Sequence, residues 1–128
     1  MDARNFIKVG MSAERTLVVP PEQTVGHFVP NMPMVFATPM MILQMELTSG
    51  DAIKRYLEPG WVTVGTEVDI RHLAATPVGA TVRTAARVVA VERRVAAATA
   101  RVNSGCIPSF AISTSRAAAV VPPGEVTF

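Results

Sequence analysis

Two residues of types that carry acid–base chemistry, Glu46 and His72, stand where the sequence pattern predicts an apolar environment. His72 closes an alternating stretch that begins at Val62, and a period of two predicts a half-buried strand with the imidazole on its apolar face. A polar group there costs free energy unless it is paired. Because imidazole exchanges protons near neutral pH, His72 is a candidate for proton transfer. The alternative is a core histidine satisfied by hydrogen bonds.

Glu46 lies in a predicted helix that runs from Thr38 to about residue 57. At 100° per residue, its side chain lies about 40° from that of Ile42, at the edge of the apolar stripe. A carboxylate in that position can act as a general base or a nucleophile. Alternatively, it belongs to the rim of the helix and extends into solvent.

Thr38 precedes Pro39, and this pair is a helix-start signal with threonine as the N-cap and proline at the first helical position. Helix capping alone would account for a threonine at this position, without any catalytic role. A hydroxyl can, however, also orient a substrate. Eight residues separate Thr38 from Glu46, which is about 12 Å along a helix axis. If both serve one reaction centre, either the substrate spans that distance or a second copy of the chain supplies one of them.

Composition limits the possible classes of protein. The 128 residues are 49% hydrophobic and 17% charged, with a net charge of +2, which favours one domain over 1–128 that self-associates. We expect loose termini at 1–13 and 122–128. Scattered arginines and few aromatic residues argue against nucleic-acid binding. The lone Cys106 excludes an intrachain disulfide and a zinc cluster, and neither a signal peptide nor a membrane span is predicted, so we expect a cytoplasmic protein without metal or cofactor.

The order of elements predicts an α+β fold in which one long buried helix is wrapped by a curved antiparallel sheet of about five strands. A first strand covers 15–21, and an irregular loop follows it to residue 38. After the helix, strands are predicted over 61–74, 80–94, 95–103 and 109–121. In the second of these the alternation places five residues on the inner face: Val82, Thr84, Ala86, Val88 and Ala90.

The loop before the helix carries four bulky apolar residues: Phe28, Met32, Met34 and Phe36. A loop of this length inside a small domain is usually functional, and these side chains suit a lid or the wall of a substrate pocket. The alternative is that they fill the core. The other histidine, His27, lies in the same loop beside Phe28, and we interpret it as a packing residue.

Several segments together resemble one known family, the hotdog-fold acyl-CoA thioesterases of the fluoroacetyl-CoA thioesterase type. They are "VPPEQTVGHFVP" (19–30), "VFAT" (35–38), Glu46, "YLEPG" (56–60), "VGT" (64–66) and "HLAATPVG" (72–79). The similarity extends from about residue 16 to residue 121. The resemblance implies a catalytic set of Thr38, Glu46 and His72, and a homodimer that binds an acyl-CoA thioester near its interface.

The resemblance also implies substrate contacts from Gly79 and Arg116, and we add Phe36 and Met32 from the loop as candidates. One stretch departs from the family pattern. Members carry a Gly-Thr-His-x-Arg-like motif before the last strand, where this sequence has "ISTSR" (112–116), with Thr114 in place of the histidine. The resemblance therefore does not define the shape of the predicted pocket at this stretch.

The function expected from the sequence is hydrolysis of a small acyl-CoA thioester to a free acid and CoA. Two alternatives stay open at this stage. One is a hotdog hydratase or dehydratase, which also pairs a carboxylate with a histidine at an acyl-CoA. The other is a non-catalytic acyl-CoA binding protein, which the altered 112–116 stretch favours.

Overall fold

The computed structural model describes residues 2–104 and 107–121. Within these residues, six strands form one antiparallel sheet: β1 (Ser12–Val18), β2 (Val62–Gly65), β3 (Asp69–Ile70), β4 (Thr81–Val91), β5 (Val95–Ser104) and β6 (Ile107–Val121). The order along the sheet is β1-β4-β5-β6-β2, and the two-residue β3 also pairs with β6. This is the predicted antiparallel sheet, with β1 and β2 at its two ends.

The long helix, α2, covers Thr38–Ile53 and packs against β1, β4, β5 and β6. Its buried residues recur at helical spacing, and they are Met41, Gln44, Met45, Thr48, Ala52 and Ile53. The α-helix ends earlier than residue 57, because the chain tightens into a 3₁₀ turn over Lys54–Tyr56 before Pro59. Such tightening is common at helix ends, and it leaves the predicted packing of the helix unchanged.

The predicted strand over 61–74 is wrong as a single element. The structure divides it into β2 and β3, which residues 66–68 connect, and His72 lies beyond both. Gly65 ends β2, and a glycine weakens a strand because it has no side chain to pack. His72 is consequently half-buried in the connection from β3 to β4 rather than buried on the apolar face of a strand.

The inner face of β4 follows the prediction over most of its length. Val82, Thr84, Ala86 and Val88 are buried, whereas Ala90 is exposed. The pairing of β4 with β5 shifts between Val88 and Ala90, so an irregularity reverses the alternation there. The prediction for Ala90 is therefore wrong, since a bulge cannot be recognised from periodicity alone.

The loop before α2 is more ordered than predicted. A 3₁₀ turn covers Pro21–Gln23, and a four-residue helix, α1, covers Val25–Phe28. The Thr24 hydroxyl caps α1 by accepting a hydrogen bond from the backbone N–H of His27 at 3.3 Å. Thr24 also forms a β-bridge with Phe36, which ties the two ends of the loop together.

The N-terminal residues are not loose. Ala3–Asn5 form a 3₁₀ turn, and Ala3 and Ile7 are among the most buried residues of the chain, at 0% and 1% exposure. They pack with Ala52 and Ile53 at the end of α2 and with Val88 of β4. Burial of this apolar surface outweighs the tendency of a terminus to fray. The expectation for 122–128 lies outside the described residues, as does Cys106.

An ion pair joins the edge strand β1 to the exposed side of α2. The Arg15 guanidinium donates to Asp51 through Nε to Oδ2 at 2.5 Å and through Nη2 to Oδ1 at 3.1 Å. The hydrogen bonds from Arg15 hold the pKa of Asp51 below its ordinary value of 3.8. Since both side chains are about a third exposed, solvent limits what the pair contributes.

We expect Asp51→Asn to lower the free energy of unfolding at pH 7 by less than about 1 kcal/mol. Because the folded-state pKa of Asp51 is depressed, its contribution is present above the ordinary pKa of 3.8 and is lost as the pH falls through the lower folded-state value. The difference between wild type and variant should therefore vanish in acid, as measured by denaturant unfolding from pH 7 to pH 2. Glu14→Gln is the control, since Glu14 is 4.0 Å from Arg83 and both are mostly exposed.

Among the helices that the structure describes, none is long and apolar enough to cross a membrane.

Candidate active site

The start of α2 brings a hydroxyl and an imidazole into direct contact. The distance between Thr38 Oγ1 and His72 Nδ1 is 2.7 Å, and both side chains are half-buried. Thr38 is the first residue of α2, and the N-cap is Ala37, whose side chain makes no capping bond. The prediction of Thr38 as N-cap is therefore wrong. Its hydroxyl binds His72 instead.

Backbone contacts explain why residues so distant in sequence meet. The Phe36 N–H donates to the Thr76 carbonyl at 2.7 Å, and Val35 forms a β-bridge with Pro77. These contacts fix the β3–β4 connection against the segment that leads into α2. Gly79 closes this connection with a φ of +84°, a backbone conformation that favours glycine, and its N–H donates to the Val19 carbonyl at 2.9 Å.

Either Thr38 or His72 can be the donor in the hydrogen bond between them. With Nδ1 unprotonated, the Thr38 hydroxyl donates to it and its oxygen gains nucleophilic character. With Nδ1 protonated, the imidazole donates to Thr38 and is held in one orientation, with Nε2 available to accept or give a proton. Thr38 also lies at the N-terminus of a 16-residue helix, where the helix dipole favours a developing negative charge, although Pro39 has no N–H and the Met40 N–H donates to the Ala37 carbonyl at 3.0 Å.

Glu46 lies two turns further along α2, on its exposed side, and its carboxylate is held against β2. A Cβ added to Gly65 would overlap Glu46 Oε1 and lie 3.0 Å from Glu46 Cδ. A side chain at position 65 would therefore displace the carboxylate. Gly50 differs, because its added Cβ would meet only Thr63 Oγ1, at 3.5 Å, which is ordinary contact.

Glu46 lies at the junction of two hollows. A cavity of about 40 Å³ extends beneath it between α2 and the sheet, with Val88, Ala96 and Ala98 among the residues that line it. A shallower groove of about 310 Å³ runs along the outer side of the helix past Leu47 and Lys54 to Trp61. The two share three residues, and these are Glu46, Gly50 and Thr63.

Within one protomer, Glu46 does not meet the other two predicted site residues. Thr38 and Glu46 belong to one uninterrupted helix, so eight residues separate them by about 12 Å along its axis. Neither Thr38 nor His72 lines the cavity or the groove that contains Glu46. The structure thus pairs Thr38 with His72 and leaves Glu46 facing a separate opening.

The predicted substrate contacts have different surroundings. Phe36 is 1% exposed and packs in the core with Met41 and Met45, whereas Met32 is 47% exposed. Gly79 has open space where a side chain would be. Arg116 occupies β6, where its backbone is in register with Ala97. His27, which we interpreted as a packing residue, is exposed and its ring meets Phe28 edge-on at 5.1 Å.

In the described part of the chain, no group of three or more His, Cys, Asp or Glu side chains converges on a point that could hold a metal ion.

Sequence reasoning missed the role of Gly65. A glycine inside the alternating stretch "VTVGT" signals a bulge or a close backbone approach, and this signal could have been used. The Arg15–Asp51 pair was also missed. No local pattern connects those two residues, which are 36 positions apart.

Comparison with known proteins identifies the family. The family model described as fluoroacetyl-CoA-specific thioesterase matches residues 19–107. This range includes Thr38, Glu46, Gly65 and His72. A curated relative, the fluoroacetyl-CoA thioesterase of Streptantibioticus cattleyicolor, is 40% identical over an alignment of 97 residues, and the match covers 71% of this chain and 70% of the relative. The chain belongs to the fluoroacetyl-CoA-specific thioesterase family.

Solved structures agree with this membership. A solved structure of a fluoroacetyl-CoA thioesterase is 35% identical, with a TM-score of 0.82 over 90% of this chain and 88% of that one, and a variant of that protein has been solved with fluoroacetate and CoA. A hot-dog-like protein from Thermanaerovibrio acidaminovorans is 20% identical and supports the fold alone, with a TM-score of 0.83 over 95% and 89% of the two chains. The predicted hotdog fold and thioesterase family are confirmed.

Proposed function

We propose that this thioesterase hydrolyses a small acyl-CoA thioester to the free acid and CoA, with Thr38, Glu46 and His72 at the reaction centre. The observation that carries the proposal is the 2.7 Å contact between the Thr38 hydroxyl and the His72 imidazole at the start of α2. A hydroxyl that touches an imidazole beside a helix N-terminus can bind a carbonyl and move a proton. Membership of a thioesterase family indicates that the bond cleaved is that of a thioester.

Each residue has a defined part in this mechanism. Glu46 either removes a proton from the attacking water or attacks the thioester carbonyl itself; in the second route an acyl–Glu46 anhydride forms as the thiolate leaves, and water then hydrolyses it to release the acid. Thr38 orients the carbonyl or the water, and the N-terminus of α2 stabilises the oxyanion. His72 gives a proton to the sulfur of the departing CoA. Overall, one water is consumed, the carbon–sulfur bond breaks, and acid and thiol are released.

The separation of Glu46 from the Thr38–His72 pair leads to a composite site. We assign the carboxylate of one protomer and the Thr38–His72 pair of its partner to the same reaction centre, near the interface of a homodimer. In this arrangement the two groups come from different helices. Within one protomer, Thr38 and Glu46 are separated by about 12 Å along a single helix and cannot approach each other.

Two features of the protomer support a homodimer. The outer side of α2 exposes Leu43 and Leu47 on either side of Glu46, at 40% and 37% exposure. The strand β2 ends the described sheet, and Val62 within it is 45% exposed. Apolar side chains around a free sheet edge favour association with a second copy, because burial of both lowers the free energy. Sedimentation or light scattering should give twice the monomer mass.

The remaining substrate contacts follow from the same placement. Gly79 and Arg116 would contact the thioester or the CoA, while Met32 lies on the exposed loop that could cover it. Phe36 acts from the core side, where it supports the segment that carries Thr38.

A panel of acyl-CoAs tests the proposed function. With a thiol reagent, acetyl-CoA, fluoroacetyl-CoA and longer acyl-CoAs should release CoA in a protein-dependent reaction. Crotonyl-CoA followed at the enoyl absorbance distinguishes a hydratase, which would consume the double bond without releasing thiol. Saturable acyl-CoA binding without thiol release would instead show a non-catalytic binding protein.

Thr38→Ala should lower kcat by about 10- to 100-fold, because it removes a hydrogen-bonding group at the reaction centre. The melting temperature should change little, since the Thr38 side chain does not cap α2. Thr38→Ser keeps the hydroxyl and should retain most activity. If Thr38→Ala were fully active in the acetyl-CoA assay, the hydroxyl would have no part in the reaction.

Gly65→Ala should lower kcat by about 10- to 100-fold, because a small displacement of a catalytic group costs this much. The added methyl group would overlap the Glu46 carboxylate. Gly50→Ala is the matched control; its added Cβ would meet only Thr63 Oγ1 at 3.5 Å, so acetyl-CoA hydrolysis should fall much less than in Gly65→Ala, while the helix is stabilised by up to about 1 kcal/mol. In the Glu46→Gln background, Gly65→Ala should have no further effect on kcat. Equal losses in the two glycine variants would contradict a role through Glu46.

A further inference from the structure

The cavity beneath α2 has no assigned occupant in the mechanism above. Its described walls come from four parts of the fold: the inner side of α2, β2 with the residues that follow it, β4 and β5. The lining residues are Ile42, Met45, Glu46, Ser49, Gly50, Ile53, Thr63, Gly65, Glu67, Val68, Val88, Ala96 and Ala98. The two glycines and two alanines leave space that larger side chains would fill.

The described lining is apolar at depth and acidic only near the opening. Ile53, Val88 and Ala96 are at most 3% exposed, and they form the inner part of the wall. The only charged residues among the described lining are Glu46 and Glu67, both of which are exposed. An apolar group that enters past Glu46 therefore gains from leaving water, whereas an anionic group would meet two carboxylates and a wall with no described cation.

We infer that this cavity holds the acyl group of the substrate, and that the preferred substrate class is a neutral, short-chain acyl-CoA of about four carbons. The inference rests on the proposed function, since it needs the thioester carbonyl beside Glu46. With the carbonyl there, the acyl chain points under α2, and the CoA portion remains outside the helix on the side of the open groove.

The volume of the cavity limits the length of the acyl group that it can hold. By the same measure, a water-sized group occupies about 10–15 Å³, so a cavity of about 40 Å³ holds roughly three such groups. Three carbons beyond the carbonyl correspond to a butyryl group. Burial of each methylene favours binding about fourfold, so butyryl-CoA should exceed acetyl-CoA by about 15-fold in kcat/KM, and octanoyl-CoA should lose this gain.

The experiment compares acetyl-, butyryl-, octanoyl- and succinyl-CoA with wild type, Ala98→Val and Ala97→Val. Ala98 lines the cavity, whereas Ala97 precedes it on the same strand and points to the opposite side of the sheet. We expect Ala98→Val to lower kcat/KM for butyryl-CoA by about tenfold and that for acetyl-CoA by a clearly smaller factor, because the shorter acyl group fills less of the cavity. Ala97→Val should match wild type with both. Succinyl-CoA has the same carbon count as butyryl-CoA and should react at least about 100-fold more slowly because it carries a charge.

The outcomes separate this inference from the proposed function. Thiol release with no preference for butyryl-CoA, or an equal loss on acetyl- and butyryl-CoA in Ala98→Val, would overturn the acyl cavity and leave thioester hydrolysis standing. If no acyl-CoA released thiol, the proposed function would fail. Calorimetric binding of butyryl-CoA would then show whether the cavity binds the acyl group. Affinity reduced by Ala98→Val but not by Ala97→Val would support it, and equal affinities would overturn it.

Discussion

Glu46→Gln should lower the rate of acetyl-CoA hydrolysis by at least about 100-fold, the lower end of what general bases contribute. Glutamine keeps the length and shape of the side chain, so it removes only the negative charge and the ability to accept a proton. Its fit against Gly65 should be unchanged, because the amide group of glutamine occupies the same space as the carboxylate that lies against Gly65. The measurement is kcat with a saturating acyl-CoA, together with a melting curve that shows the variant is folded.

Glu67→Gln is the matched control for this prediction. Glu67 lines the same cavity and is exposed, like Glu46, but it lies in the connection after β2 rather than on α2. If electrostatic repulsion around the opening were the whole effect of Glu46, both substitutions would change the rate alike. Full activity of Glu46→Gln would remove the carboxylate from the mechanism.

His72→Ala should lower kcat by about 100-fold or more, because proton transfer by a positioned side chain contributes that much. The imidazole contacts Thr38, and its segment is fixed by the backbone bonds of Phe36 and Val35 rather than by His72 itself. The protein should therefore remain folded and associated, with a melting temperature close to that of wild type.

His27→Ala is the control for His72→Ala, since these are the two histidines of the chain. His27 is exposed and contacts Phe28, so its loss should leave kcat unchanged. A His72→Ala protein that fails to fold would indicate that the imidazole serves packing. The more conservative His72→Asn, which keeps a hydrogen-bonding group near Thr38, would then have to restore folding without activity for the proton-transfer role to survive.

The elements themselves could be predicted because they depend on local patterns. The alternation of Val82 through Val88 predicted the inner face of β4, and the Thr38–Pro39 pair predicted where α2 begins. Burial follows from these patterns, since a strand or helix that faces a core needs apolar residues at its own period. The irregularity near Ala90 broke the pattern because one shift in pairing reverses which face a residue occupies.

The site could be predicted only in part, because its contacts join residues that are far apart in sequence. Thr38 and His72 are 34 positions apart, and their contact depends on how the β3–β4 connection docks on the segment before α2. The alternating pattern predicted His72 on the apolar face of a strand, and this prediction is wrong because the residue lies beyond β3. The closeness of Glu46 to Gly65 likewise depends on tertiary packing.

A mixed-dimer assay shows whether one reaction centre combines residues of two protomers. Glu46→Gln and His72→Ala protomers are unfolded together, refolded as a mixture, and assayed with an acyl-CoA; each variant refolded alone is the control. In a mixed dimer, one site would combine the intact Glu46 of one protomer with the intact His72 of the other. Random pairing should then restore about a quarter of wild-type activity. A mixture no more active than the separate variants, despite demonstrated mixed dimers, would place the complete site within one protomer and rule out the composite site.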